Sequence, residues 1–310
     1  MQLKRVAILC LFLAPWSNRT EHGVLASSLE NQGNADPSTV DGFGFEWSRF
    51  DQRPVPENES HEMFAQYFRI FPWHVLPEHA VGFDLGCGSG RWAKFVAPRV
   101  GTLHCIDASE VAMSVAKRNL GNVRNCEFHV ASVDKLPLTD NAMDFGYALG
   151  VLHHVPYPLE GLKACVSKLK KGTPFLLYLY YAFDNRPLWF RILWKMTDLG
   201  RRVISNCPHP LRYWLSQAIA LSVYYPLARS ARILEKLGFS VDAFPLSIYR
   251  HRSFYVMRTD ALDRFGTRLE HRFTMNQIRE MMEEAGLERI VLSDSVPYWC
   301  AVGYKKPCVE

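Results

Sequence analysis

The chain has 310 residues, 48% of them hydrophobic and 22% charged, with a formal net charge of +5. That length suits one large domain or two modest ones, and the composition excludes both a disordered chain and a membrane bundle. Its 8 cysteines show no Cys-x-x-Cys pair and no metal-ligand spacing, so no metal is expected. The thiols read as reduced, mostly buried side chains in a cytoplasmic compartment.

At the amino terminus Lys4 and Arg5 precede an apolar run from Val6 to Trp16. The run is too short to span a bilayer and reads as a leader without a role, an interfacial anchor or a signal. Asn18-Arg19-Thr20 and Asn58-Glu59-Ser60 match glycosylation acceptors. Polar residues without periodicity make 1–40, leader included, a flexible tail. Residues 41–77 follow as a segment that packs on the edge of the core or serves as a lid, in which Phe45, Trp47 or Phe50 covers a ligand, and a helix runs from Glu59 to Phe71.

The core opens with an apolar strand at Val81–Leu85 that enters the turn Gly86-Cys87-Gly88-Ser89-Gly90, with a helix starting near Arg91. Three alternate glycines let a ligand lie against the main chain, and a helix start offers unpaired N–H groups and a positive dipole end. A dinucleotide turn reads Gly-x-Gly-x-x-Gly, whereas Arg91 fills the last glycine position here. The next strand, Leu103–Asp107, ends in an acid 17 residues after Gly90. A carboxylate there can accept from two ribose hydroxyls, and Asp107 alone does not choose between nucleoside cofactors.

Strands and helices then alternate, the pattern of a parallel sheet covered on both faces. Ser109 caps a helix with Val111, Val115 and Ala116 on one face, and Glu127–Val130 and Met143–Leu149 are the third and fourth strands. A helix carrying Leu159, Leu162, Val166 and Leu169 precedes a fifth strand at Pro174–Tyr181. After an interruption, Thr274 and Gln277 form a capping box for the last helix, and strands at Arg289–Leu292 and Tyr298–Tyr304 close the chain.

With these elements in order the chain resembles the class I S-adenosylmethionine (SAM)-dependent methyltransferases, within the group that includes the quinone C-methyltransferases. The likeness rests on Asp84–Arg91, Ile106-Asp107-Ala108-Ser109, Leu136–Asp144 and Val151-Leu152-His153-His154-Val155. It implies a Rossmann-like α/β fold with a seven-stranded sheet, helices on both faces and an antiparallel last strand. By matched position, the backbone of Gly86, Cys87, Gly88 and Gly90 holds the methionine part of SAM. Asp107 takes the ribose, Ala108, Ser132 and Val133 lie at the adenine, and Asp84 orients the turn or reaches the amino group. The family commonly has an acid where this chain has Ser132, and Asp134 is positioned to compensate. The resemblance divides the chain into a SAM-binding core at 78–181, a helical cap at 182–269 and a completion of the core at 270–310.

Methyl transfer requires the acceptor held in line with water excluded, and a base only when the acceptor must lose a proton. His153 and His154 follow the fourth strand and are the catalytic candidates. Tyr249, His251, Asp263 and His271 are candidates for the acceptor side. Between Asn185 and Leu215 six Lys or Arg face one acid, interleaved with Trp, Phe and Leu, and Tyr213–Ala228 carries no charge. That pattern fits a packed helical cap with a basic outer face, a lipid-facing element over 185–230, or a site for a lipid-like acceptor. Interleaving of basic with large apolar residues argues against nucleic acid. The reading is a methyltransferase acting on a small or amphiphilic acceptor; the alternative is a silent scaffold of the same fold attached to a membrane or protein.

Overall fold

The computed structural model describes residues 33–307. The apolar leader and the Asn18-Arg19-Thr20 motif lie outside them. The order is α1 (Pro37–Arg49), α2 (Glu57–Tyr67), β1 (Val81–Leu85), α3 (Ala93–Val96), β2 (Thr102–Asp107), α4 (Glu110–Asn119), β3 (Cys126–Val130), β4 (Phe145–Leu149), α5 (Pro158–Lys168) and β5 (Pro174–Tyr178). The cap helices α6 (Leu188–Ile204), α7 (His209–Ile219), α8 (Tyr225–Lys236) and α9 (Phe254–Gly266) follow, then α10 (Met275–Glu284), β6 (Leu287–Leu292) and β7 (Cys300–Lys305).

The seven strands form one sheet in the order β3-β2-β1-β4-β5-β7-β6, parallel except that β7 runs antiparallel to both its neighbours. Alternate residues serve opposite faces. Phe83, Leu85, Ile106, Phe175 and Leu177 pack with Leu162, Ile278 and Met282. On the other face Leu103, Cys105, Phe145 and Tyr147 pack with Met113, Trp92 and the aromatic cluster of Phe64, Phe68 and Phe71. The central β1–β4 pair interlocks by size. Gly82 lies opposite Phe145 and Phe83 opposite Gly146, and a Cβ on either glycine would sit 2.2 to 2.4 Å from the facing ring.

Several sequence expectations need correction. Residues 34–40 are not tail: Asn34 is buried and exchanges hydrogen bonds with the Tyr157 backbone, and Asp36 caps α1 by accepting from the Thr39 N–H. A capping acid followed by Pro37 is a helix-start signal hidden within a polar stretch. The helix after the glycine turn is only four residues long, too short to build an appreciable dipole. Val111 stands 49% exposed, while Ala112 and Met113 take the inward positions with Val115 and Ala116.

The cap has its own small core of Ala220, Tyr224, Ala228, Met257, Ala261 and Phe265. The chargeless run from 213 to 228 is only half buried, since Trp214, Leu221, Val223 and Tyr225 face outward. The basic side chains divide: Arg191, Lys195 and Arg202 are exposed, while Arg201 and Arg212 are buried. Arg201 binds Asp198 and the Thr267 carbonyl, and Arg212 binds the Gly266 and Cys207 carbonyls, so both point inward as ties. On α6, apolar Leu188, Trp189, Ile192, Met196, Leu199 and Val203 are exposed beside Arg191, Lys195 and Arg202.

The interlocked pair gives a direct test. Gly146→Ala forces a methyl into the Phe83 ring and should lower stability by about 1–3 kcal/mol, read as a lower urea midpoint. Gly200→Ala, in α6 with nothing within 4 Å of the new methyl, should leave stability unchanged or raise it by up to about 1 kcal/mol. Equal midpoints for Gly146→Ala and the parent would contradict the packing argument.

Candidate functional site

A cavity of 480 Å³ opens over the carboxyl ends of β1, β2, β4 and β5 and runs under α1 and the cap. Its donor side is lined by Gly86, Cys87, Asp107, Ala108, Ser132 and Val133. The turn at this end does not work as the anion cradle its sequence suggests. The Gly86 and Cys87 N–H groups both donate to the Ile106 carbonyl, at 2.7 and 3.0 Å, Gly88 donates to Asp107 Oδ2 at 2.9 Å, and Gly90 donates to the Cys87 carbonyl at 2.8 Å. Those N–H groups are committed within the chain, and so are the Cys87, Ser89 and Gly90 carbonyls, so what this end offers a hydroxylated or cationic ligand is the Asp107 carboxyl. Asp107 also accepts from the Ser109 N–H at 2.8 Å. Each of its oxygens keeps a lone pair for a ribose hydroxyl.

The glycines divide their work. A Cβ on Gly88, which has φ +55°, would meet the Trp47 ring at 2.8 Å, so Gly88 is where α1 closes onto the turn. Gly90 instead accommodates Leu120, the residue that ends α4, with a Cβ distance of 2.8 Å, and does not line the cavity. Of the three aromatic residues expected to cover the ligand only Trp47 lines the cavity, joined by Phe43; Phe50 is buried against Tyr255 and Tyr213. Asp134 is exposed and away from the cavity, so it does not compensate for Ser132.

Asp84 lies beneath the turn, 1% exposed, with Oδ2 buried and lacking a hydrogen-bond partner. Burial pushes its carboxyl up to about 8, with Tyr147 opposing the shift. An orphaned buried carboxyl beneath the turn fits the ammonium end of SAM, and with Asp107 it makes the donor side fit that cofactor.

The two histidines part company. His153 is fully buried, stacked on Tyr180 at 3.9 Å with Nδ1 accepting from the Tyr180 N–H, and burial holds its imidazole well below the usual range. It supports the loop and does not line the cavity. His154 does line it. Its Nδ1 pairs with the Leu269 carbonyl at 2.7 Å, which fixes the proton there and leaves Nε2 with a free lone pair, 4.0 Å from Asp263 Oδ1. The Tyr180 hydroxyl donates to the other oxygen of Asp263.

Of the acceptor-side candidates, Tyr249 and Asp263 line the cavity. His251 is held outside by Glu235 at 2.8 Å, and His271 donates its N–H to the His153 carbonyl. Sequence reasoning missed Glu46, Arg91 and Tyr180, and reached Asp260 only as part of the polar stretch 258–268; all four are on the cavity wall. Burial, reinforced by Asp263 and Asp260, raises Glu46 well above the carboxylate range. Burial also pushes Asp260 up to about 6 while Arg91 restrains it. Arg91 stacks over Trp47 and Trp92 at 5.5 and 4.5 Å. No spacing rule announces these groups, because they come from α1, α3's approach and α9; only the bulky residue at the last glycine position hinted at Arg91.

Residues 83–177 match the family described as methyltransferase domain, and the chain carries a class I SAM-dependent methyltransferase domain. Among curated proteins it is similar to the ubiquinone biosynthesis O-methyltransferase of Acinetobacter baylyi, 27% identical over 167 residues that cover 50% of this chain and 66% of the relative. The protein of the same name from Idiomarina loihiensis is 28% identical over 155 residues, covering 47% and 61%. The chain thus spans less than two thirds of the length of these relatives. Among solved structures, a SAM-dependent methyltransferase of Methanosarcina mazei is 16% identical with a TM-score of 0.46, covering 75% of this chain and 95% of that one.

The raised acids fix the sign of a pH effect. A carboxyl whose folded pKa lies above its unfolded value binds more protons when folded. Its contribution to stability is therefore full below about 4 and lost as pH rises, through about 6 for Asp260 and about 8 for Asp84. In ligand-free protein the melting midpoint of Asp84→Asn should gain on that of the parent between these limits. A parallel pair of midpoint-against-pH curves would contradict the assignment.

Proposed function

We propose that this protein transfers a methyl group from SAM to a hydroxyl oxygen of a lipid-like, quinol-type acceptor held between the sheet and the cap, with His154 as general base. The observation that carries the reading is the continuity of one cavity from Asp107 and Gly86 past His154 Nε2 to Tyr180, Asp263 and the cap residues Phe190, Phe244 and Leu246. The names of the curated relatives support oxygen as the acceptor atom and a quinone precursor as its class.

Bound SAM supplies an electrophilic methyl group on a sulfonium. On this chain Asp107 and the turn it braces orient the donor, and Trp47 over Gly88 closes it from water. His154, with Nδ1 tied to the Leu269 carbonyl, offers Nε2 to the acceptor hydroxyl. Asp263 stands 4.0 Å away to stabilise the imidazolium once the proton has moved. Tyr180 holds the second Asp263 oxygen and is itself capped by Arg272 at 5.0 Å. Glu270 anchors that arginine at 2.7 Å; against burial, Arg272 and Arg264 keep its carboxyl below the usual range.

The cap gives the acceptor class further support. Most of the exposed large apolar side chains among the described residues lie between 188 and 239, with Arg191 and Lys195 exposed beside them on α6. No described helix is long and apolar enough to cross a membrane. An apolar, weakly basic surface next to a lipid-accepting cavity fits peripheral contact with a bilayer.

With labelled SAM and a prenylated catechol, the parent protein should form the methyl ether and S-adenosylhomocysteine. His154→Gln should lower kcat by about 100-fold or more with SAM affinity unchanged. No turnover with any hydroxylated acceptor, or full activity of His154→Gln, would sink the proposal. In flotation on anionic vesicles the double variant Trp189→Glu and Trp214→Glu should remain unbound where the parent floats; identical behaviour would remove the bilayer contact.

A further inference from the structure

The outer edge of the sheet carries a cluster that the methyl-transfer reading does not use. His104 of β2 lies opposite Glu127 of β3, and His129 lies opposite Ile106, two residues beyond His104. In a parallel ladder these positions share one face, so two strands deliver three side chains to the same place. The His104 Nδ1 to His129 Nε2 distance is 3.1 Å, His104 Nδ1 to Glu127 Oε2 is 3.2 Å, and His129 Nε2 to the same oxygen is 4.0 Å. Four ligands held about 2.0–2.1 Å from zinc in a tetrahedron stand about 3.3–3.4 Å apart. The three protein atoms therefore already lie near the spacing of a coordination face, with no loop to rearrange.

The electrostatics agree with the geometry. Three acceptor-capable atoms converge, and a neutral imidazole carries one proton on its two nitrogens. Burial, the largest influence on His104, holds its imidazole below the usual range, which keeps a lone pair available. Side-chain exposures of 14% for His104, 26% for His129 and 59% for Glu127 leave one side open for an ion to enter and for water to complete its shell. None of the three residues lines the cavity over the carboxyl ends of the strands.

We infer that His104, Glu127 and His129 form a binding site for a divalent transition metal of the zinc type, which clamps the edge strand β3 to β2. The need for a clamp is visible in β3, which has no fully buried residue. The consequence reaches the donor side, because β2 leads directly into Asp107 and Ala108 and β3 into Ser132 and Val133. Cysteine and Cys-x-x-Cys spacing could not reveal this site. Only Glu127-x-His129 is local, and the third ligand is brought by the sheet register.

The test uses the full chain, stripped with a chelator and dialysed. Zinc chloride titrated by calorimetry should bind with one ion per chain at micromolar or tighter affinity, and cobalt(II) should give visible d–d absorption of a low-symmetry site. The melting midpoint should rise by about 5 °C at saturating zinc. His129→Ala should lose the binding and the shift. Glu127→Gln, an exposed substitution that leaves the fold intact, should weaken binding at least tenfold. Absence of saturable binding, affinity weaker than about 100 µM, or equal binding by both variants would overturn the assignment. Methyl transfer need not be measured, so the outcome is independent of the function proposed above.

Discussion

The Gly88 N–H donates to Asp107 at 2.9 Å, and much of the donor side depends on that bond. It ties the turn after β1 to the tip of β2, two strands whose register is already fixed over five residue pairs. With the bonds from Gly86, Cys87 and Gly90 it commits these N–H groups of the turn within the chain. Trp47 then seats on the face of Gly88 that a side chain would occupy. Backbone proximity, the ribose acid and the lid are thus consequences of one glycine with φ +55°. An alanine there would disturb all three together.

The cap solves a different problem. Its buried arginines terminate helices and loops by donating to carbonyls, as Arg201 and Arg212 do around Thr267 and Gly266. Buried guanidinium groups are tolerated because their fork of donors is filled. Arg201 and Arg212 are held inside in this way, while Arg191, Lys195 and Arg202 stay on the outer surface of α6 among exposed Leu188, Trp189, Ile192, Met196, Leu199 and Val203, a mixed basic and apolar face. The segment's composition is the same under either arrangement; only the fold reveals which face the charges take.

That is why legibility differed along the chain. The sheet was readable because strand hydrophobicity, Ser109, Thr274 with Gln277, and the glycine turn are local signals that agree with one another. Asp107 was readable because it ends a strand, and Ser132 because it follows one in a known order. The N-terminal helix was not, since Asp36 and Pro37 sit in a polar stretch whose apolar face is supplied by α4 and the cap. Glu46, Asp260 and Asp263 converge from two helices more than two hundred residues apart in sequence, and no period in either helix encodes the meeting.

The acid group also shows how the two ends of the cavity communicate. Burial raises Glu46 and Asp260, Asp263 adds to both shifts and Asp260 to that of Glu46, and Arg91 is the cation that restrains both. Arg91 occupies the place where a dinucleotide turn would need glycine. The same substitution that rules out a pyrophosphate cradle therefore supplies the counter-charge that lets carboxyl groups gather over the cavity. A residue read from sequence as an obstacle to one ligand becomes, in the folded chain, the electrostatic link between the donor turn and the acceptor side.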